Sequence, residues 1–200
     1  GMTLAGTLQM VREFRTTDQD TPLILMGYMN LLVTMGFKAF AQAAGDAGVD
    51  GIIIVDCPPE EADPMADALD AADISLIRLA TPTTDDKRLP TVLRRTSGFV
   101  YYVSVAGVTG VKEADAAAVA PHVERIRKAS GLPVAVGFGI KTEERAEAIA
   151  KVADAVVVGS ALVDEVAEAV ANNESVTTRV LLKVETLSKA VRFARVGVAV

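Results

Sequence analysis

The chain has 200 residues, half of them hydrophobic, with 20 Lys and Arg against 26 Asp and Glu and a formal net charge of −6. That length supports one sizeable core, expected as a single domain over 1–200. The scattered charges, with no basic run, exclude bulk electrostatic attraction to nucleic acid or an anionic membrane, and no apolar run reaches the ~18–20 residues that span a bilayer. Cys57 is the one cysteine; with no signal peptide in view it points to a reducing, cytoplasmic setting.

Residues 3–15 read as a helix. Short apolar runs then alternate with amphipathic stretches. PLILMGY (22–28) precedes a helix that puts Phe40, Ala43, Ala44 and Ala47 on one face. GIIIVD (51–56) leads to an Ala- and Asp-rich helix at 61–72, and ISLIRLA (74–80) to one at 89–96. FVYYVS (99–104) leads to 114–129, where Val119, Val123 and Ile126 recur at helical spacing. PVAVGFG (133–139) leads to 143–152, and AVVVGSA (155–161) to 162–171. A final helix at 176–194 carries Val180, Val184, Leu187 and Val191 on one face. Glycines in AGVDG and SGLP suit helix C-caps.

The spacing of these runs is that of βα units, and their lack of polar alternation predicts strands buried on both faces. Six parallel strands fit either an open doubly wound sheet or part of a barrel. Polar and glycine positions stand at the C-terminal end of nearly every run: Tyr28 and Asn30, Asp56, Thr83, 107–110, 137–139, then Gly159 and Ser160. Function spread over all strand tops is barrel behaviour, whereas an open sheet concentrates it at one switch point. A whole barrel has eight strands, so two are expected to be missing from these residues.

Three late junctions are glycine-rich: AGVTG (106–110), VGFGI (136–140) and VGSAL (158–162). Glycine lets the backbone approach an anion, and the unpaired N–H groups of a helix start donate to it. Each junction alone is equally a tight strand-to-helix turn; three at successive strand tops point to a phosphate site, with Ser160 adding a hydroxyl. There is no Walker A lysine pattern, and no G-x-G-x-x-G follows the first strand. Asp56 stands at a strand end, either facing the mouth or capping the turn into the next helix. Glu60 and Glu61 read as helix-start charges, and Cys57 has no neighbouring histidine to activate it. His122, the only histidine, is expected on a helix flank away from any strand top. One Cys and one His make a zinc site untenable, no Ser-His-Asp set assembles, and no cofactor is called for.

The runs LMGYMN (25–30), VDCPPEE (55–61), TPTTDDKR (81–88), GFVYYVSVAGVTG (98–110), PVAVGFGI (133–140) and VVVGSALV (156–163) fall in an order and spacing that resembles the tryptophan synthase alpha chain family, over about 1–170. The resemblance implies a (β/α)8 TIM barrel, present here as a partial barrel of about six parallel strands. It implies a lyase that cleaves indole-3-glycerol phosphate to indole and glyceraldehyde 3-phosphate. It also implies that the backbone at Gly110, Gly139, Gly159 and Ser160, with Phe138, holds the substrate phosphate. Tyr101 would lie in the pocket, Tyr28 would help line it, and Thr109 would belong to the closing loop. Asp56 matches a strand-end aspartate near that loop and the β-chain interface, and we pair it with Thr109 in the closed state. The implied partners are a β chain, in a complex of two α and two β chains, and a small phosphorylated substrate.

The departures carry as much weight. The family's catalytic glutamate and the aspartate of its SDP-x-x-DGP loop have no match in these residues, and the chain begins at GMTLAGTLQMVREFR, which resembles the family's second barrel helix. Leu31 stands where the family usually has proline. Since such acid–base groups contribute typically ~10²–10⁴-fold each, the chain as given is expected to be catalytically incomplete. Two further readings stay open: a non-catalytic module that binds a phosphate ligand or the β chain, and another phosphate-binding barrel enzyme. The outer edges of the 22–28 and 155–161 runs are expected to be open to self-association.

Overall fold

Thr3 starts the fold. Its hydroxyl accepts a hydrogen bond from the Gly6 N–H at 3.1 Å and caps helix α1 (Leu4–Arg15). The structure is a computed structural model, and it describes residues 1–104, 116–137 and 139–196. Two compact units result, one from Gly1–Leu79 with Asp86–Val100 and the other from Ala80–Asp85 with Tyr101–Val200.

In the first unit, α1 is followed by β1 (Ile24–Gly27), α2 (Met29–Met35), α3 (Phe37–Ala47) and β2 (Gly51–Ile54). A 3-10 turn at Pro59–Glu61 then leads to α4 (Asp63–Asp70), β3 (Ser75–Ala80) and α5 (Leu89–Leu93). The strands run parallel in chain order, with Ile24 opposite Gly51 and Ile53 opposite Ile77. Ile52, Ile54 and Leu76 pack against Phe40, Met65 and Leu69 of the helices in one buried cluster. The second unit holds β4 (Val100–Val103), α6 (Ala116–Ser130), β5 (Val134–Gly137), α7 (Glu143–Ala150), β6 (Ala155–Val157), α8 (Ser160–Ala171) and α9 (Val176–Val196). Here β4 lies beside β5, and β5 beside β6 in parallel, with Val136 opposite Val156. Strands in strict chain order within each unit fit the βα barrel class; a doubly wound sheet would reverse its order.

One device recurs where a strand begins. The Asp50 N–H donates to the Leu23 carbonyl at 3.0 Å while its carboxylate accepts the Leu23 N–H at 2.6 Å. Asp154 does the same to Val134, at 3.0 and 2.9 Å. Ser97 repeats it on Leu76 with its hydroxyl, at 3.0 and 3.1 Å. Each residue grips both backbone groups of one residue on the preceding strand. Two of the three clasps are held from outside by an arginine of the helix before that strand. Arg15 reaches Asp50 at 2.6 Å, and Arg127 reaches Asp154 at 3.0 and 3.2 Å. Such charge-assisted bonds are roughly twice as strong as neutral ones.

The expected elements are present with shorter strands, because the last residues of each run already belong to the turn into the next helix. The run 155–161 shows it best: the strand ends at Val157 and α8 begins at Ser160. Helix α2 was not expected. It is only seven residues long, with Asn30 and Thr34 breaking any apolar period, and Gly36 at φ 86° closes it. On α3 the buried face is Phe40, Ala41, Ala44 and Ala47, so Ala41 takes the place expected for Ala43. Gly48 (φ 93°) and Gly131 (φ 67°) end α3 and α6 in the left-handed conformation foreseen for them. Among the described residues no helix is long and apolar enough to cross a membrane.

Removing a clasp leaves a strand-start N–H unpaired beside a cationic side chain. Asp50→Ala and Asp154→Ala are each expected to cost about 1–3 kcal/mol, and Ser97→Ala, with no charge involved, about 1 kcal/mol. Urea midpoints of the three variants check this ranking.

Candidate functional site

In the first unit the strand tops bring Tyr28 and Asp56 to neighbouring positions. Tyr28 closes β1, stands as the N-cap of α2 and is 60% exposed. Its own side chain makes no capping bond. The Asp56 carboxylate supplies one from the adjacent strand end, accepting the Met29 N–H at 2.7 Å. Asp56 therefore caps the helix before its own strand rather than the turn after it, which corrects one of its two expected roles. Its expected partner Thr109 lies outside the described residues, as do Gly110 and Phe138.

The segment after Asp56 is locked by arginines. Arg78, only 4% exposed, donates from Nη1 to the Cys57 carbonyl at 3.0 Å. Its Nε and Nη2 have no hydrogen-bond partner among the described residues. Within the apolar run ISLIRLA nothing marked this residue as a support for the Asp56 segment. Arg88 grips both oxygens of Glu60, one of the two contacts at 3.1 Å. That bidentate contact holds the Glu60 carboxyl below its ordinary range. Glu60 stays ionised, paired and unsuited to donate a proton. Cys57 is buried, its thiol directed at the Pro58 carbonyl.

In the second unit Tyr101 projects from β4 over the end of β5. A Cβ built on Gly137 would collide with the Tyr101 hydroxyl and come within 2.7 Å of its Cε2 and 2.9 Å of Val157 Cβ. Only glycine leaves room for the ring at that point. Half-burial pushes the Tyr101 phenol above its usual range, so it remains a neutral hydrogen-bonding group and not a base. Ser104 ties the end of β4 to β5 by donating to the Gly137 carbonyl from N–H and hydroxyl, at 3.1 and 2.9 Å. Gly139 adopts φ 73° and is exposed, just ahead of buried Ile140.

Gly159 and Ser160 open α8, and both are exposed. This helix start differs from those of α1 and α7. Thr3 caps α1 and Thr142 caps α7 with side-chain oxygens, and Glu143 and Glu144 add negative charge to the first turn of α7. Helix α8 has a glycine N-cap, no side-chain cap bond and no acid in its first turn. The Gly159 carbonyl accepts from the Leu162 N–H at 2.9 Å, and the earlier N–H groups of the turn have no intrahelical acceptor, as at any helix start. Their field favours an anion. The arrangement suits binding through neutral donors, with no proton-transfer pair.

His122 sits on the flank of α6 as expected, and its ring stacks on buried Tyr102 at 5.5 Å between centroids, a contact that sequence spacing does not reveal. Among the described residues no three His, Cys, Asp or Glu side chains gather to hold a metal ion. A cavity of about 500 Å³ lies between α1, α2 and α3, lined in part by Leu4, Leu8, Leu31 and Met35, and one of about 450 Å³ lies between α3 and α4. A third, of about 310 Å³, lies under α9, with Val158 and Leu162 beside the start of α8 in its lining.

A sequence model described as "Tryptophan synthase alpha chain" matches residues 1–192. The chain belongs to the tryptophan synthase alpha chain family. The tryptophan synthase alpha chain of Phenylobacterium zucineum is 80% identical over 195 residues, covering 98% of this chain and 70% of that protein. The Caulobacter vibrioides alpha chain is 72% identical over 197 residues, 98% of this chain and 72% of its own. The crystal structure of the Legionella pneumophila alpha chain superposes with a TM-score of 0.85 at 37% identity, over 96% of this chain and 70% of that one. A Pyrococcus furiosus structure, described as the basis of mutual activation of the tryptophan synthase a2b2 complex, gives 0.77 at 34% identity, over 96% and 73%. The fold class is thus that of the family's TIM barrel, and the family is one of lyase-type enzymes of tryptophan biosynthesis.

Two outcomes follow for these residues. Gly137→Ala is expected to lose about 1–3 kcal/mol through overpacking, with Tyr101→Ala in the same chain recovering part of it; denaturant midpoints decide. The Glu60 pair contributes above the depressed folded pKa and is lost as pH falls through it. In Arg88→Ala the Glu60 carboxyl should therefore titrate closer to its ordinary 4.5, followed by carboxyl-carbon NMR.

Proposed function

We propose that these 200 residues form the substrate-phosphate and partner-binding part of the alpha-chain reaction, the aldol cleavage of indole-3-glycerol phosphate to indole and glyceraldehyde 3-phosphate. The observation that carries the reading is the helix start at Gly159 and Ser160, which lacks both a side-chain cap and a first-turn acid. In this reading its N–H groups and the Ser160 hydroxyl receive the phosphate, with Gly139 and, outside the described residues, Gly110 and Phe138 beside it. Tyr101 flanks the indole portion as a neutral hydrogen-bonding group. Tyr28 lines the pocket, and Asp56 lies toward the closing loop that contains Thr109. A β chain is the partner, in a complex like that of the Pyrococcus furiosus enzyme, and the setting is cytoplasmic.

The chemistry itself needs a proton delivered to indole C3 and another removed from the glycerol hydroxyl. No carboxylate of this sequence matches the two that the resemblance assigns to those tasks. Asp56 is engaged with the Met29 N–H and Glu60 with Arg88, so neither substitutes. In this reading these 200 residues supply the binding, and neither proton-transfer role is assigned to one of their carboxylates.

Calorimetry with glyceraldehyde 3-phosphate should give binding that Ser160→Asp abolishes, because a carboxylate at the helix start repels the phosphate and competes for the same N–H groups. Indole release from indole-3-glycerol phosphate should fall at least ~10³-fold below that of a family member carrying both carboxylates. Turnover near that of such a member would overturn the incompleteness, and unchanged binding by the Ser160 variant would overturn the phosphate assignment.

A further inference from the structure

The strand tops of the first unit support one another in turn. Asp56, just past the end of β2, caps α2 at the end of β1 by accepting the Met29 N–H at 2.7 Å. Tyr28, the N-cap residue, supplies no side-chain bond of its own, so this turn is held by Asp56 from the neighbouring strand. Asp56 needs holding as well. Its segment is anchored before it, where the Val55 N–H donates to the Gly27 carbonyl at 3.1 Å. It is anchored after it at Pro58, whose ring fixes φ at −59°. Between these two anchors the Cys57 carbonyl accepts from Arg78 Nη1 at 3.0 Å. Ile77 stands opposite Ile53 in the ladder, so Arg78, the next residue, arrives level with the end of β2. The support runs from β3 through β2 to β1.

Arg78 is poorly compensated for so buried a cation. Its Nε and Nη2 form the side of a guanidinium that grips a carboxylate with two bonds, and neither has a partner among the described residues. The acids of the neighbouring segment belong to other arginines, Glu60 to Arg88 and Asp63 to Arg94. Even the buried Asp63 Oδ1 is left without a hydrogen bond and does not pair with Arg78. Withdrawing a cation from water costs free energy that one carbonyl does not return, and the apolar run ISLIRLA would accept a methionine at this place. Stability therefore does not account for the arginine. Its reach to the Cys57 carbonyl does.

We propose that Arg78 is a positioning residue of the site. By holding the Cys57 carbonyl it sets the Asp56 carboxylate on the Met29 N–H, and so fixes the turn that presents Tyr28. Its bearing on substrate rests on the pocket role proposed above for Tyr28; its bearing on Asp56 does not.

Amide exchange, read by NMR on the unliganded 200-residue chain, tests the assignment. In Arg78→Met the Met29 amide should exchange about fivefold faster relative to the β2 amides, the weight of a lost helix cap, while the urea midpoint does not fall. Arg78→Lys keeps a charged donor on a long stem and should restore slow exchange. Asp56→Ala should speed Met29 as Arg78→Met does, and combining the two should add nothing further, because Arg78 acts through that carboxylate. An unchanged Met29 amide in Arg78→Met overturns the proposal, as does an additive double variant. So does a lowered midpoint with all amides faster together, since Arg78 would then be a core residue only. If Arg78→Met fails to fold by circular dichroism, the neutral and shorter Arg78→Gln is read in the same way, and an unchanged Met29 amide there overturns the proposal too. Calorimetry with indole-3-glycerol phosphate is the second arm. Arg78→Met should weaken binding and Arg78→Lys restore it; equal affinity in Arg78→Met overturns the role in the site. A wild type that does not bind overturns the pocket reading of Tyr28, and the Met29 exchange still decides whether Arg78 positions Asp56.

Discussion

Parallel strands have no hairpin to fix their register, and a slip of one residue would turn every side chain to the wrong face. Here the register is set by residues standing just before a strand. Asp50, Ser97 and Asp154 each take both backbone groups of one residue on the neighbouring strand. The grip is made at the N-terminal end of the strands, and its effect is felt at the other end. Once Leu23 is fixed against Asp50, Gly27 falls opposite Ile54, and Asp56 two residues later can reach the Met29 N–H. Once Val134 is fixed against Asp154, Gly137 falls opposite Val157, and the Tyr101 ring finds its gap. The positions at the strand tops inherit their precision from bonds made at the strand bottoms.

The electrostatics follow a related economy. Three of the four acids of the 55–63 segment are occupied: Asp56 with a backbone N–H, Glu60 with Arg88, Asp63 with Arg94 at 3.0 Å. At the end of the chain Glu165, Glu168 and Glu174 share the guanidinium of Arg179. A chain of net charge −6 can admit a phosphate only where its own carboxylates are absent or engaged, and the α8 helix start meets that condition.

Much of the fold was legible because burial on both faces forces Val and Ile runs, and the six runs marked six strands. Strand ends were not legible, since residues such as Gly159 and Ser160 suit a strand end and a helix start equally well. Helix α2 escaped because seven residues are too few to show a period. The glycines of VGFGI announced a close approach without saying which glycine; Gly137 is decided by a tyrosine 36 positions upstream. The Asp56 bond to Met29 and the Arg78 bond to Cys57 span 27 and 21 positions, and no local pattern encodes contacts that only the strand pairing creates. The family motifs did carry the lineage, because they sit at strand tops where many residues are constrained together.

The bare start of α8 has a thermodynamic side. Thr3 and Thr142 are built-in caps, so α1 and α7 are complete without help. A phosphate seated at Ser160 would be a cap that arrives from solution, and helix and ligand would then share one equilibrium. With the phosphate proposed for that site, the stabilisation a capping side chain would have given would arrive only with the ligand and grow with the logarithm of its concentration. The heat resistance of such a protein would become a readout of the metabolite pool around it.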